Sequence, residues 1–262
     1  MHGSVREGVW FDGRGRAIKV AVKPAQEIIN RAGIEVMREE LQRISLLPYH
    51  PNVVWVVGAR LEQDPVIVEE LMASNLNDAL YDDDPRLTYL QILKIALDVA
   101  RGVGHLHRHG MAHCGIKPSN ILLDGGLNAK LADFVCSKVK AAAAVSGAHR
   151  HTLEYMAPEC LAADIQDGQV SVPVSGVNTS AEKVDIYSFG KVVLECVSGK
   201  LIIENSKAME LCPKTLWGLI CQCLSDSSEG RPSCEQIEVQ LEDMMSVKDS
   251  EWLERRPKQD IW

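Results

Sequence analysis

Residues 113–124 read HCGIKPSNILLD, a polar loop that runs directly into an apolar segment. Upstream, Thr88 and Gln91 have the spacing of a helix capping box, and apolar residues recur at helical spacing as far as Val103. The sequence therefore predicts a long helix that leads into this loop.

Further motifs follow the loop in a fixed order. Asp133-Phe134-Val135 begins thirteen residues after Asn120. YMAPE occupies residues 155–159, DIYSFG occupies 185–190, and RPS occupies 231–233.

These segments together resemble the motifs of eukaryotic protein kinase domains, whose catalytic loop reads HRDLKPxNILLD and is followed by DFG, YMAPE and DVYSFGVVLLE. Arg231 is similar to the late arginine that pairs with the glutamate of APE. The resemblance runs from Gly3 to about Leu241. Lys117 and Thr152 match positions typical of Ser/Thr-directed kinases, and the segments DIYSFG and CLSDSSEGRPS resemble those of the tyrosine-kinase-like group.

The resemblance implies one bilobal α+β domain over residues 1–245. A small antiparallel β-sheet with one helix would form the N-lobe at about 1–72, and a larger, mainly α C-lobe would occupy about 73–245. The charged tail 246–262 is interpreted as a frayed end, with a docking segment as the alternative.

Local patterns in the first part of the chain agree with this fold. Apolar runs flank Asp-Gly at residues 12–15, a strong hairpin signal. Helical spacing over 26–47 predicts one helix, and the β-branched runs at 53–57 and 66–68 predict two more strands. Beyond the loop, helices are predicted near 185–198, 214–224 and 234–245, with a loop insertion at 162–180.

The resemblance also implies a site for ATP and Mg²⁺. Lys23, at the end of an apolar strand, would reach the α- and β-phosphates, and Glu40 would be its ion-pair partner, with Glu39 as the alternative. Asn120 and Asp133 would hold Mg²⁺. A solvated strand edge and a solvated helix face are the plainer interpretations of Lys23 and Glu40.

The other implied site residues lie in the catalytic loop and around the adenine. Lys117 and Asn120 would act in the loop. The positions implied to contact the nucleotide are Gly3, Val5, Ala21, Glu70, Met72 and Leu122, together with Lys23, Glu40 and Asp133.

One departure from the family pattern bears directly on catalysis. Family members carry an aspartate where this chain has Gly115, and that carboxylate accepts the proton of the attacking hydroxyl and orients it toward the γ-phosphate. Residues 111–123 contain no Asp or Glu. General acid–base assistance contributes ~10²–10⁴ in rate, so we expect strongly impaired phosphotransfer unless another carboxylate stands in.

Other departures concern regulation and nucleotide binding. Cys114 replaces the arginine that binds a phosphorylated activation loop in many kinases, so that switch has no receptor here. Val135 replaces the glycine of DFG and should stiffen the segment. Residues 3–5 align with the end of the Gly-rich loop GxGxFGxV, so the first strand and half of this loop are expected to be absent. Either the chain is truncated or misread at its start, or the nucleotide site is degraded.

Three functions are consistent with this pattern. Gly115 favours a pseudokinase, a signalling domain that binds ATP and acts by contacting a protein partner. Retention of Lys23, Glu40, Asn120 and Asp133 favours an active Ser/Thr protein kinase that transfers the γ-phosphate to a protein hydroxyl. A scaffold that binds no nucleotide is the third possibility.

Composition limits the remaining classes. Hydrophobic residues make up 46% of the chain and charged residues 24%, which permits a sizeable buried core. A net charge of −8 argues against nucleic acid as the main partner. Eight cysteines without a CxxC pair indicate reduced thiols, and no apolar run approaches the ~18–20 residues of a membrane span. A cytoplasmic location is therefore expected.

Overall fold

The computed structural model describes residues 5–25, 31–62, 64–81, 86–133, 154–162, 179–199, 212–246 and 255. The predicted loop insertion and the segment from Phe134 to the residues before YMAPE fall almost entirely outside these ranges. So do Gly3 and Val135.

A four-stranded antiparallel sheet forms the N-terminal part, with the strands in the order β1-β2-β4-β3. The strands are β1 (Arg6–Phe11), β2 (Ala17–Pro24), β3 (Val56–Arg60) and β4 (Val66–Glu70). Asp12 stabilises the β1–β2 turn, because its Oδ1 accepts hydrogen bonds of 2.9 Å from the backbone N–H groups of Arg14 and Arg16. The predicted hairpin is confirmed.

One helix accompanies this sheet, α1 (Arg31–Ser45), within the predicted range 26–47. The strand predicted from Val53 begins only at Val56, so that boundary was wrong. The physical reason is that Val53 forms a parallel bridge with Leu131, and the N–H of Val54 donates to the Leu131 carbonyl at 2.8 Å. These residues join the two halves of the structure instead of extending the sheet.

The C-terminal part is mainly helical. Its described helices are α2 (Leu76–Tyr81), α3 (Tyr89–Arg108), α4 (Pro158–Ala162), α5 (Thr179–Ser198), α6 (Lys214–Cys223) and α7 (Cys234–Ser246). The predicted capping box of α3 is present, since Thr88 Oγ1 accepts from Gln91 N at 3.3 Å and Gln91 Oε1 accepts from Thr88 N at 2.8 Å. Helix α5 begins at Thr179, earlier than the sequence pattern predicted.

A second, three-stranded antiparallel sheet lies beside the catalytic-loop sequence and was not predicted. It contains β5 (Ser74–Asn75), β6 (Ile121–Leu123) and β7 (Ala129–Leu131) in that order. Strands of two or three residues are too short to show a period-two pattern. In this sheet, β6 follows the polar part of the catalytic-loop sequence directly and pairs with β7, which precedes Asp133.

Helix α3 is the centre of the core and packs against α5, α7 and β7. Gly102 on α3 faces the carbonyl of Asn52 so closely that a Cβ there would lie 2.5 Å from the Asn52 oxygen. Asn52 in turn donates from Nδ2 to the Ala129 carbonyl at 3.0 Å, and its own carbonyl accepts from Leu131 N at 2.9 Å. The missing side chain at Gly102 thus permits the contact between the loop before β3 and the C-terminal part.

The cysteines of the described ranges are all free, as the sequence predicted. Burial raises the pKa of the Cys212 and Cys223 thiols to about 12, so both are inert packing groups. Cys221 is the exposed exception. Among the described helices, none is both long enough and apolar enough to cross a bilayer.

The tail is represented by Arg255, whose carbonyl accepts a hydrogen bond of 2.9 Å from Tyr89 N at the start of α3. The interpretation of the tail as a frayed end, with a docking segment as the alternative, stays a prediction.

Candidate active site

The start of the loop at 113–124 is held in place by hydrogen bonds to Asp185 on α5. This carboxylate is fully buried and accepts hydrogen bonds from His113 N at 2.8 Å, Cys114 N at 2.7 Å and His107 Nε2 at 2.9 Å. A buried charge is stable only where donors satisfy its oxygens. Asp185 therefore fixes the backbone immediately before Gly115.

Ala132 joins the loop to the Asp133 segment. His113 Nε2 donates to the Ala132 carbonyl at 2.9 Å, and Ala132 N donates to the Asn120 carbonyl at 2.9 Å. Asp133, the next residue, has φ +69°, a left-handed conformation that aspartate tolerates better than most side chains. The two predicted Mg²⁺ ligands are thereby brought to neighbouring backbone positions.

Gly115 lies inside this arrangement. Its carbonyl accepts a hydrogen bond of 2.8 Å from Asn120 Nδ2, which leaves the amide oxygen of Asn120 available to a ligand. A Cβ built at Gly115 would meet His113 Nδ1 at 3.6 Å and Asn120 Nδ2 at 3.8 Å, ordinary contact distances. The loop therefore has space for a side chain at the position where the family carries its aspartate.

Cys114 does not supply the missing chemistry. Its thiol pKa is raised by burial, and further by the charge of Asp185 and by the nearby Cys160 and Glu40. It also has φ +52°, so the loop turns sharply here. A neutral, partly buried thiol can neither bind a phosphate nor accept a proton from a hydroxyl.

Lys23 is held at the end of β2, as predicted, but with a different contact partner. Its Nζ lies 2.6 Å from Glu69 Oε2, and Glu69 on β4 has a side chain only 1% exposed. The sequence assigned this role to Glu40, which is buried on α1, with the exposed Glu39 as its alternative. The structure therefore corrects the assignment: the carboxylate in direct ionic contact with Lys23 is that of Glu69.

Glu70 faces a neighbouring lysine. Both of its carboxylate oxygens accept from Lys130 Nζ at 2.8 Å, and Oε1 also accepts from Trp55 N at 2.8 Å. These three contacts occupy most of the acceptor positions of the Glu70 carboxylate. The nucleotide contact predicted for Glu70 stays a prediction.

The remaining predicted residues occupy varied environments. Ala21 is buried and lies directly opposite Glu69 in the strand register, whereas Val5 is 55% exposed. Met72, Leu122 and Lys117 are partly buried. The structure thus gives each of these residues a defined position.

Sequence reasoning missed Glu69, the role of Asp185 as loop anchor, and Lys130. The sequence does carry a partial signal for Glu69, because it lies within the strand-like run VIVEE. Strand register decides whether the carboxylate of such a residue faces the interior or the solvent. The register itself emerges only when β2 and β4 pair.

Known proteins agree with the motifs. The family model described as protein tyrosine and serine/threonine kinase matches residues 1–241. A dual specificity protein kinase of Dictyostelium discoideum is 30% identical over 91% of this chain and 17% of its own length. A second dual specificity protein kinase of that organism is 30% identical over 91% and 47%, respectively. A serine/threonine/tyrosine-protein kinase of Arabidopsis thaliana is 28% identical over 92% of this chain and 63% of its own length.

The chain thus spans between 17% and 63% of the length of these three relatives. The matched region contains the catalytic-loop sequence, the Asp133 segment and the ion pair of Glu159 with the buried Arg231. This chain belongs to the protein kinase family.

Proposed function

We propose that this kinase domain binds MgATP, transfers the γ-phosphate only weakly, and acts as a pseudokinase that signals through contact with a protein partner. The observation that carries the proposal is Gly115, which offers no carboxylate at the position from which the family orients and deprotonates the acceptor hydroxyl. The nearby Asp185 is a poor substitute, because it is buried and already accepts three hydrogen bonds.

Nucleotide binding is supported by the residues that remain. Asn120 and Asp133 supply the oxygen donors that Mg²⁺ prefers, and two protein ligands suit an ion that keeps waters and phosphate oxygens in its shell. Mg²⁺, when bound, neutralises phosphate charge. Lys23 contributes an ammonium that is partly accessible, with 20% of its side chain exposed.

The second candidate is an active Ser/Thr protein kinase. The anchored loop favours it, because Asp185, His113 and Asn120 hold the backbone around Gly115 by hydrogen bonds. Positioning and charge neutralisation account for much of phosphoryl-transfer catalysis, and both survive the loss of a base. Residual activity through a substrate-assisted route would fit this candidate.

One experiment separates the candidates. Transfer of radiolabelled γ-phosphate from MgATP to a generic protein substrate is measured for the wild type, Gly115→Asp and the uncharged control Gly115→Asn. We expect a gain of ~10²–10⁴ for Gly115→Asp alone, because only a carboxylate supplies the base. Equal rates for the wild type and Gly115→Asp would refute the pseudokinase proposal.

Nucleotide binding is tested separately by thermal denaturation with increasing MgATP. A ligand that binds only the folded state raises Tm in proportion to the logarithm of its concentration above Kd. We expect such a rise for the wild type. A constant Tm would indicate the scaffold that binds no nucleotide.

A further inference from the structure

We propose that Glu69, on β4 of the N-terminal sheet, positions Lys23 for the nucleotide phosphates, the role that the sequence assigned to Glu40 on α1. This inference rests on the proposed nucleotide binding and names a positioning residue for that site. Its starting point is the contact of 2.6 Å between Lys23 Nζ and Glu69 Oε2.

The strand register makes this contact a property of the sheet. In the antiparallel pair of β2 and β4, Ala21 lies opposite Glu69 and Lys23 lies opposite Ile67. Lys23 and Glu69 are therefore diagonal neighbours on the same face, a separation that long side chains bridge readily. Backbone hydrogen bonds between the strands fix that separation.

Burial makes the contact strong. The Glu69 side chain is 1% exposed, whereas 20% of the Lys23 side chain remains accessible. A carboxylate at that depth needs a cation beside it, and an ion pair in such surroundings is screened little by water. The carboxylate holds the ammonium from the interior side and leaves its outer side for a ligand anion.

The location of the partner has a regulatory consequence. An ion pair that joins a strand to a helix forms and breaks as the helix moves, whereas a pair between two hydrogen-bonded strands does not. Lys23 should therefore stay in position irrespective of where α1 lies. The nucleotide site of this domain would then not be gated by movement of α1.

The test compares Glu69→Gln with the matched variant Glu40→Gln, since both remove one buried negative charge from the N-terminal part. The first readout needs no nucleotide: the rate at which an amine-reactive ester labels Lys23, followed by peptide mass spectrometry. The Lys23 amine must leave the carboxylate before it can attack the ester, so we expect labelling to rise about tenfold in Glu69→Gln and by less than about twofold in Glu40→Gln.

The second readout is the Kd for MgATP, measured with a fluorescent nucleotide and competition by ATP. We expect Glu69→Gln to weaken binding about tenfold and Glu40→Gln to change it by less than about twofold, because only the first variant releases Lys23. Far-UV circular dichroism and Tm verify that each variant is folded. A purely structural role for Glu69 would lower Tm and leave Kd unchanged in the folded fraction.

Three results would overturn the inference. The two substitutions could change Lys23 labelling and the Kd for MgATP equally, Glu69→Gln could bind MgATP more tightly than the wild type, or Lys23 labelling could stay unchanged in Glu69→Gln. If Glu69→Gln does not fold, Glu69→Asp keeps the charge but lengthens the contact, and we then expect intermediate labelling and binding. Absence of MgATP binding to the wild type would contradict the proposed function, while the labelling rates would still decide which carboxylate holds Lys23.

Discussion

The carboxylate of Asp185 accepts a hydrogen bond of 2.7 Å from the backbone N–H of Cys114, a residue 71 positions earlier in the chain. The same carboxylate accepts from the N–H of His113 and from His107 Nε2. One buried side chain on α5 thus holds the backbone on which Gly115 sits. The loop around Gly115 keeps its anchor although it carries no catalytic carboxylate.

Asp185→Asn should lower the free energy of unfolding by about 2–4 kcal/mol, because the amide NH₂ would face donors that now have an acceptor. Urea denaturation measures the loss. Asp243→Asn, at an exposed position of α7, is the control and should stay within about 0.5 kcal/mol of the wild type. Similar losses in the two variants would contradict the anchoring role of Asp185.

Two glycine-to-alanine substitutions in helices should have opposite effects. Gly102→Ala would place a Cβ 2.5 Å from the Asn52 carbonyl oxygen, whereas Gly218→Ala on α6 meets nothing within 4 Å. We expect Gly102→Ala to destabilise the fold by about 2–4 kcal/mol through overpacking. Gly218→Ala should stabilise it by up to about 1 kcal/mol through helix propensity. Thermal denaturation distinguishes the two signs, and a stabilised Gly102→Ala would disprove the close approach.

The pair of Arg231 with Glu159 predicts a strong preference for arginine. The Arg231 side chain is fully buried, and the two terminal nitrogens of its guanidinium donate to the two carboxylate oxygens of Glu159 at 2.6 and 2.8 Å. Arg231→Lys keeps the charge but loses the fork, so unfolding free energy should fall by about 2–4 kcal/mol.

Arg101→Lys is the matched control for this prediction. Arg101 pairs with Glu242 at 2.6 Å, but its side chain is 41% exposed. An exposed pair contributes little, so the loss should not exceed about 0.5 kcal/mol. The free energy of unfolding of the two variants is measured by chemical denaturation. Comparable losses in Arg231→Lys and Arg101→Lys would contradict the importance of burial.

His50 should make stability depend on pH. Its ring stacks on His105 with centroids 4.5 Å apart, and its pKa falls from the ordinary 6.5 to about 4 through burial first and then through the positive charges of His105, Arg108 and Arg101. Between these values the unfolded chain binds a proton that the folded chain excludes, so stability falls as pH decreases toward 4.

The measurement is the urea midpoint at about pH 7 and about pH 5 for the wild type and His50→Gln, which cannot titrate. The wild type should lose more stability between the two values than the variant. An identical loss would show that His50 is not responsible.

Much of the fold was predictable because its signals are local. The capping box at Thr88 and Gln91 marked the start of α3, and Asp-Gly between apolar runs marked the β1–β2 hairpin. The start of β3 was misplaced because Val53 resembles a strand residue but pairs with Leu131 across the structure. Strands β5, β6 and β7 were missed because two or three residues carry no periodic pattern.

The site shows the same division. Gly115, Asn120 and Asp133 could be assigned from sequence because the family motif is nearly contiguous there. Glu69 could not be assigned, since its approach to Lys23 depends on how β2 pairs with β4.

The amino-acid sequence alone determined that this chain is a kinase domain with glycine in place of the catalytic aspartate. The reason is that the residue type at a motif position is fixed by the covalent chain and does not depend on folding. Tertiary structure decided which carboxylate touches Lys23 and which side chain holds the loop around Gly115. Both are contacts between segments far apart in the chain, and only packing and strand register bring their charges within a few ångströms of each other.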